Sequence, residues 1–155
     1  MKMDLVSFLE TNSQQLAEYE PEVVWDKRNS TIELTFRLFA ENQQQFVIDD
    51  VDGTETAEEI IEFEDGVLFY WPGKSRFAEA DYVKTIPFDG KKGLPQNVVV
   101  GILNYLAEVL ANGQSDLLDF LTDEKAEIFE LHWDEDKFQQ AVAATPTTLI
   151  PYPSF

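Results

Sequence analysis

The chain has 155 residues, thirty acidic and eleven basic, giving a formal net charge of −19. Charge of that sign repels phosphate backbones and anionic membrane surfaces, so the expected partner is a basic protein or a cationic segment, with no nucleic acid and no membrane. With 44% hydrophobic residues, twelve Phe, five Tyr, three Trp and no Cys, the chain is a folded single domain without disulfides, zinc-thiolate sites or a thiol nucleophile.

The N-terminal segment carries Leu5, Phe8, Leu9, Leu16 and Tyr19 at helical spacing, and Pro21 ends it. Glu22 to Lys27 reads as a strand with Val23 and Trp25 on one face, and Lys27-Arg28-Asn29-Ser30 supplies a turn. Thr31 to Glu41 alternates, with Ile32, Leu34, Phe36 and Leu38 on one side and Glu33, Thr35 and Arg37 on the other. Gln45 to Val51 suits a third strand. Asp65-Gly66 between two apolar runs reads as a hairpin turn with positive φ angles. Pro72-Gly73 stops the next strand, and Tyr82 to Pro87 forms another with Pro87 at its end or on an edge.

After Gly90-Lys91-Lys92-Gly93 the longest helix is predicted over about Leu94 to Ala111, with Pro95 in its first turn and Gly113 past its last. Ser115 is expected to cap a short helix through Leu121. Ile128 to Trp133 alternates as a strand, and Asp134 caps a last helix through Ala144. These elements predict an α+β fold: a mostly antiparallel sheet of about five to seven strands, with an N-terminal, a long central and a C-terminal helix packed mainly on one face. Residues 1–144 form the domain, and 145–155, with Pro146, Pro151 and Pro153, an irregular tail docked on it. The N-terminus turns polar before a signal-like apolar core can form, and no apolar run reaches the roughly 20 residues that span a bilayer, so a cytoplasmic setting is expected.

Charge is unevenly distributed. Residues 44–66 hold nine acids and no base, and residues 116–136 nine acids with only Lys125 as a base. Lys74, Arg76, Lys84, Lys91 and Lys92 cluster in the opposite sense, as internal counter-charge for the acids or as a positive island. Lys91, Lys92 and Gly93, leading into the long helix, are the candidate anion site, because free N–H groups and the helix dipole favour an anion there. They lack the spacing of a triphosphate loop. No metal site is expected; Asp50 and Asp52, which fit the third and fifth ligand positions of a calcium loop, are the nearest candidates, but Ile48 replaces the first ligand.

His132 is the one histidine, placed on a strand face with Glu130 and Ile128, and no nucleophile signature accompanies it. No catalytic residue and no cofactor are assigned. The strand Val67 to Trp71 is bulky on both faces, so Phe39, Tyr70 and Trp71 mark either a second packed face, covered by Leu149, Ile150, Tyr152 and Phe155 of the tail, or an interaction surface.

Several segments carry a resemblance in combination: Trp25-Asp26-Lys27, Ile32 to Phe36, Phe63 to Tyr70, Lys91-Lys92-Gly93, Ser115 to Leu121 and Phe129 to Trp133. The chain resembles a domain-of-unknown-function family of small acidic cytoplasmic proteins from lactic-acid and related Gram-positive bacteria. The resemblance implies one domain and an intracellular setting, and brings no activity, cofactor or catalytic residue. The resulting expectation is a non-enzymatic interaction or regulatory module. The alternative is an enzyme or small-ligand binder with a carboxylate and His132 cleft, with or without a divalent cation.

Overall fold

The computed structural model describes residues 3–41, 48–49, 55–56, 60–122, 131–142 and 148–153. In chain order its elements are α1 (Leu5–Asn12), a 3₁₀ segment (Ser13–Tyr19), β1 (Glu22–Asp26), β2 (Thr31–Glu41), β3 (Ile48–Asp49), β4 (Glu55–Thr56), β5 (Ile60–Tyr70), β6 (Lys84–Pro87), β7 (Leu94–Pro95), α2 (Gln96–Thr122), α3 (Glu135–Ala141) and β8 (Leu149–Ile150). The fold is mixed α+β. Its main sheet has four strands in the order β1-β2-β5-β6, two pairs antiparallel and the last parallel. β3 and β4 pair separately, as do β7 and β8. Among the described residues the expected five to seven strands in a mostly antiparallel sheet are therefore corrected to four in a mixed sheet.

Most of that correction comes from Asp65-Gly66. No hairpin forms there: β5 runs unbroken through both residues, and Phe36 faces Asp65 as Thr35 faces Gly66. A turn would have left two short strands, whereas the straight run pairs with all eleven residues of β2. Gly66 has no positive φ; its lack of a side chain eases close pairing, since a Cβ there would lie a tight 3.2 Å from the Leu34 carbonyl oxygen. Pro72-Gly73 does end β5, with Gly73 at φ +87° and the Trp71 carbonyl accepting from the N–H groups of Lys74 and Ser75.

The N-terminal apolar stripe divides into two helix types. Asp4 caps α1 by accepting from the Ser7 N–H at 2.8 Å. At the break, Asn12 donates to the Phe8 carbonyl and the Ser13 hydroxyl to that of Glu10, the local side-chain competition that weakens helix continuation. Leu5, Phe8, Leu9, Leu16 and Tyr19 are nevertheless all buried, against Ile32, Leu34, Phe36 and Leu38 of β2.

α2 is one helix of 27 residues where two were expected. The apolar phase at Leu106, Leu110, Gly113, Leu117 and Phe120 never breaks, so Gly113 lies inside the helix and Ser115 caps nothing. A Cβ at Gly113 would sit 2.3 Å from Leu131 Cδ2, so glycine lets the 131–133 segment press onto the helix. That segment is irregular in its described part, not strand, and Ile128 and Glu130 lie outside the described residues. Asp134 caps α3 as expected, accepting from the N–H groups of Asp136 and Lys137. Among the described residues no helix is long and apolar enough to cross a membrane.

A lysine-framed aromatic cup as candidate functional site

β1 and β5 both run antiparallel to β2, so their C-terminal ends lie at the same edge of the sheet. Trp25, next to last in β1, and Trp71, the residue after β5, both pack against the core, and the turn that follows each places a lysine over the indole. Lys27 Nζ lies 4.8 Å from the Trp25 ring centre and Lys74 Nζ lies 4.0 Å from that of Trp71. The two turns are stitched together. The Ser75 hydroxyl accepts from the Trp71 N–H at 2.8 Å and donates to the Ser30 carbonyl at 3.0 Å. Asn29 donates to the Arg76 carbonyl and accepts from its N–H.

Residues 148–153 complete the wall, contrary to the expectation of an irregular tail over the second sheet face. Leu149–Ile150 forms β8 against β7, Leu5 N–H donates to the Pro151 carbonyl, and Tyr152 N–H donates to that of Lys91. Tyr152 thus reaches the core-side rim: its hydroxyl accepts from Trp25 Nε1 at 2.8 Å. Its ring stacks on Phe88 at 5.2 Å and meets Trp71 edge-on at 5.4 Å. Gly93 makes this docking feasible. At φ +73° and ψ −128° it occupies backbone space reserved for glycine, and a Cβ there would fall 1.8 Å from the Ile150 carbonyl oxygen.

These pieces enclose a cup of about 560 Å³ lined by Lys27, Ser30, Trp71, Lys74, Lys91, Tyr152 and Pro153. It brings together Lys91 and Trp71, which the sequence had placed in two separate candidate sites. Lys92, exposed, and Gly93, buried, are not among its lining residues. Neither lysine opens directly onto the long helix, because β7 intervenes and the Gln96 N–H is taken by the Thr148 carbonyl. Tyr70 and Phe39 stay outside the cup, on the opposite sheet face, where Tyr70 packs on Phe77 at 4.6 Å. The sequence reading missed Lys27, Ser30, Lys74 and Pro153 as lining. Two matching segments, Trp25-Asp26-Lys27 and Trp71-Pro72-Gly73-Lys74, carried the signal.

The basic stretch from Lys74 to Lys92 supplies counter-charge at one described position. Lys84 pairs with Glu135 at 2.7 Å, and this contact, chiefly as a hydrogen bond, holds the Glu135 carboxyl below its usual range. Among the described residues neither Lys74 nor Lys91 pairs with a carboxylate.

A second cleft, about 370 Å³, contains His132 with Glu108, Asp116, Asp134 and Lys137. His132 and those carboxylates are all exposed, and among the described residues no three His, Asp or Glu side chains group as a metal would require. Asp50 and Asp52 lie outside the described residues.

Over residues 1–154 the chain matches the family described as "Protein of unknown function (DUF3013)". The chain belongs to the DUF3013 family. A solved structure described as a conserved protein of unknown function from Enterococcus faecalis is similar at 46% identity and a TM-score of 0.87, covering 99% of this chain and 97% of that one. The DUF3013 fold described above is thus shared with a protein of a lactic-acid Gram-positive bacterium. Comparison with curated proteins finds no match.

Proposed function

We propose that this protein is a non-enzymatic recognition module of the cytoplasm that receives an anionic group in the cup. The observation that carries the reading is the convergence of Lys27, Lys74 and Lys91 on one aromatic cavity of a chain whose net charge is −19. Thirty carboxylates compete for eleven cations, so pairing is the favourable default for any lysine. Lys74 lies on an indole face instead, poised to exchange a cation–π contact for a charge-assisted hydrogen bond. The test is calorimetric titration with inorganic pyrophosphate, compared between the native chain and Lys74→Met with Lys91→Met. Saturable binding that the double variant weakens at least tenfold supports the reading; equal binding by both proteins overturns it.

The expected basic partner has its best surface at the His132 cleft, where Glu108, Asp116 and Asp134 outnumber Lys137. Chemical-shift perturbation by an oligo-arginine peptide tests this second reading. Shifts confined to residues 105–116 and 131–137 support it, and diffuse shifts over the whole acidic surface refute it.

A further inference from the structure

We propose that the cup takes a small planar aromatic ring bearing a phosphate or carboxylate, the ring lying against Trp71 and Tyr152 and the anion held by Lys74 and Lys91. This rests on the anion reading above and adds the ligand class. A bare inorganic anion would leave most of the 560 Å³ unfilled, whereas that volume is ordinary for a small organic ligand. The apolar part of the wall is aromatic and fixed before any ligand arrives. Trp71 meets Phe88 edge-on at 5.9 Å and Tyr152 at 5.4 Å, and the Tyr152 hydroxyl is held by Trp25. A rigid ring wall costs little to order on binding, which suits a rigid flat ligand.

The lysines supply the other half of the chemistry. Lys74 follows the Pro72-Gly73 turn, whose backbone is fixed by the Trp71 carbonyl, while its side chain is exposed. It can leave the indole face to a ligand ring and carry its ammonium to the ligand's anion. Lys91 lines the same cup, its carbonyl accepting from the Tyr152 N–H. Size is decided by long-range charge. A polyanionic macromolecule extends beyond the roughly 8–10 Å over which three lysines act and meets the −19 of the remaining surface. A small mono- or dianion feels chiefly the cup.

Calorimetry at about 50 mM salt with AMP, ribose 5-phosphate, adenosine, indole-3-acetate and acetate separates the parts. At least one ring-bearing anion should bind tenfold or more tighter than its ringless counterpart, and AMP, if it is that ligand, tenfold tighter than adenosine. The AMP and indole-3-acetate arms distinguish phosphate from carboxylate as the anion. Binding should shift the Trp71 indole N–H resonance while leaving that of Trp133 unmoved. Trp71→Ala should abolish the advantage of the ring; if it fails to fold, Lys74→Met and Lys91→Met, both exposed, should each weaken binding about tenfold with an unchanged unfolding midpoint. Ribose 5-phosphate and acetate matching their ring-bearing partners would overturn the ring inference and leave the anion reading intact. No saturable binding by any of the anions would overturn both.

Discussion

Replacing Gly93 with Ala should remove the wall that Tyr152 provides. An L-residue at φ +73° and ψ −128° costs about 1–3 kcal/mol in backbone strain alone. The new Cβ would also overlap the Ile150 carbonyl at 1.8 Å and lie 2.9 Å from the carbonyl carbons of Ile150 and Pro151. Residues 148–153 must then retreat by more than an ångström, which forfeits the β7–β8 pairing and the bonds from Gln96, Leu5 and Tyr152. Exposing Ile150, now 5% accessible, costs about 1.5–3 kcal/mol, and each lost ring contact of Tyr152 about 0.5–1.5 kcal/mol. A total loss of about 4 kcal/mol or more follows, a large share of the stability of an ordinary domain and on the order of 10 °C in melting temperature. Gly73→Ala is the control. Its φ is +87° but nothing lies within 4 Å of its Cβ, so it carries only the backbone penalty. Urea denaturation followed by tryptophan fluorescence should place Gly93→Ala at least about 2 kcal/mol below Gly73→Ala. Equal midpoints for the two variants would refute the docking of residues 148–153 on Gly93.

Tyr152→Phe should cost about 1 kcal/mol, because Trp25 Nε1 loses its 2.8 Å acceptor, and should change near-UV dichroism; an unchanged unfolding midpoint would count against that bond. Burial, with Glu64 and Asp65 nearby, raises the Glu33 pKa, and burial beside β6 raises that of Asp65. The folded state therefore keeps these protons longer than the unfolded state. Their contribution is complete below the ordinary values of 4.5 and 3.8 and is lost as pH rises through the raised folded values. Asp65→Asn, which keeps an acceptor for the Gly66 N–H, should flatten that decline in a pH series of melts; an unaltered slope would remove Asp65 as its source. Sodium chloride should raise the melting temperature by screening the −19 surface, with a gain of at most a few kcal/mol, and a flat response would mean that the acids are already compensated. Duplex DNA and single-stranded RNA should show no salt-sensitive micromolar binding by fluorescence anisotropy, even at about 20 mM salt.

Residues that bury one face by simple alternation were legible in the sequence. Ile32, Leu34, Phe36 and Leu38 announced β2, and Asp134 its helix, because each signal depends on a few adjacent residues. Asp65-Gly66 and Gly113 misled for one shared reason. Both look like punctuation locally, yet each glycine sits where another part of the chain approaches closely. The Leu34 carbonyl approaches one and Leu131 the other, over separations of 32 and 18 residues that no local window covers. The cup was half legible. Trp71, Lys91 and Gly93 stood out individually, but their meeting depends on β1 and β5 ending at the same sheet edge and on the return of Tyr152.

That dependence couples binding to the C-terminal segment. Tyr152 contributes both a ring of the wall and the acceptor that fixes Trp25, so a cup with residues 148–153 undocked lacks one side and loosens another. A ligand lying against Tyr152 binds the docked form in preference to the undocked one and must stabilise docking by the same free energy. Ligand at one hundred times its dissociation constant would add about 2.7 kcal/mol to the docked state. Gly93→Ala should therefore lose ligand affinity in proportion to its undocked population, while Lys74→Met loses affinity with docking unaltered. Measuring protection of the Tyr152 amide from hydrogen exchange in both variants separates the two causes. Equal protection in Gly93→Ala and the native chain would break the link between the C-terminal segment and the cup.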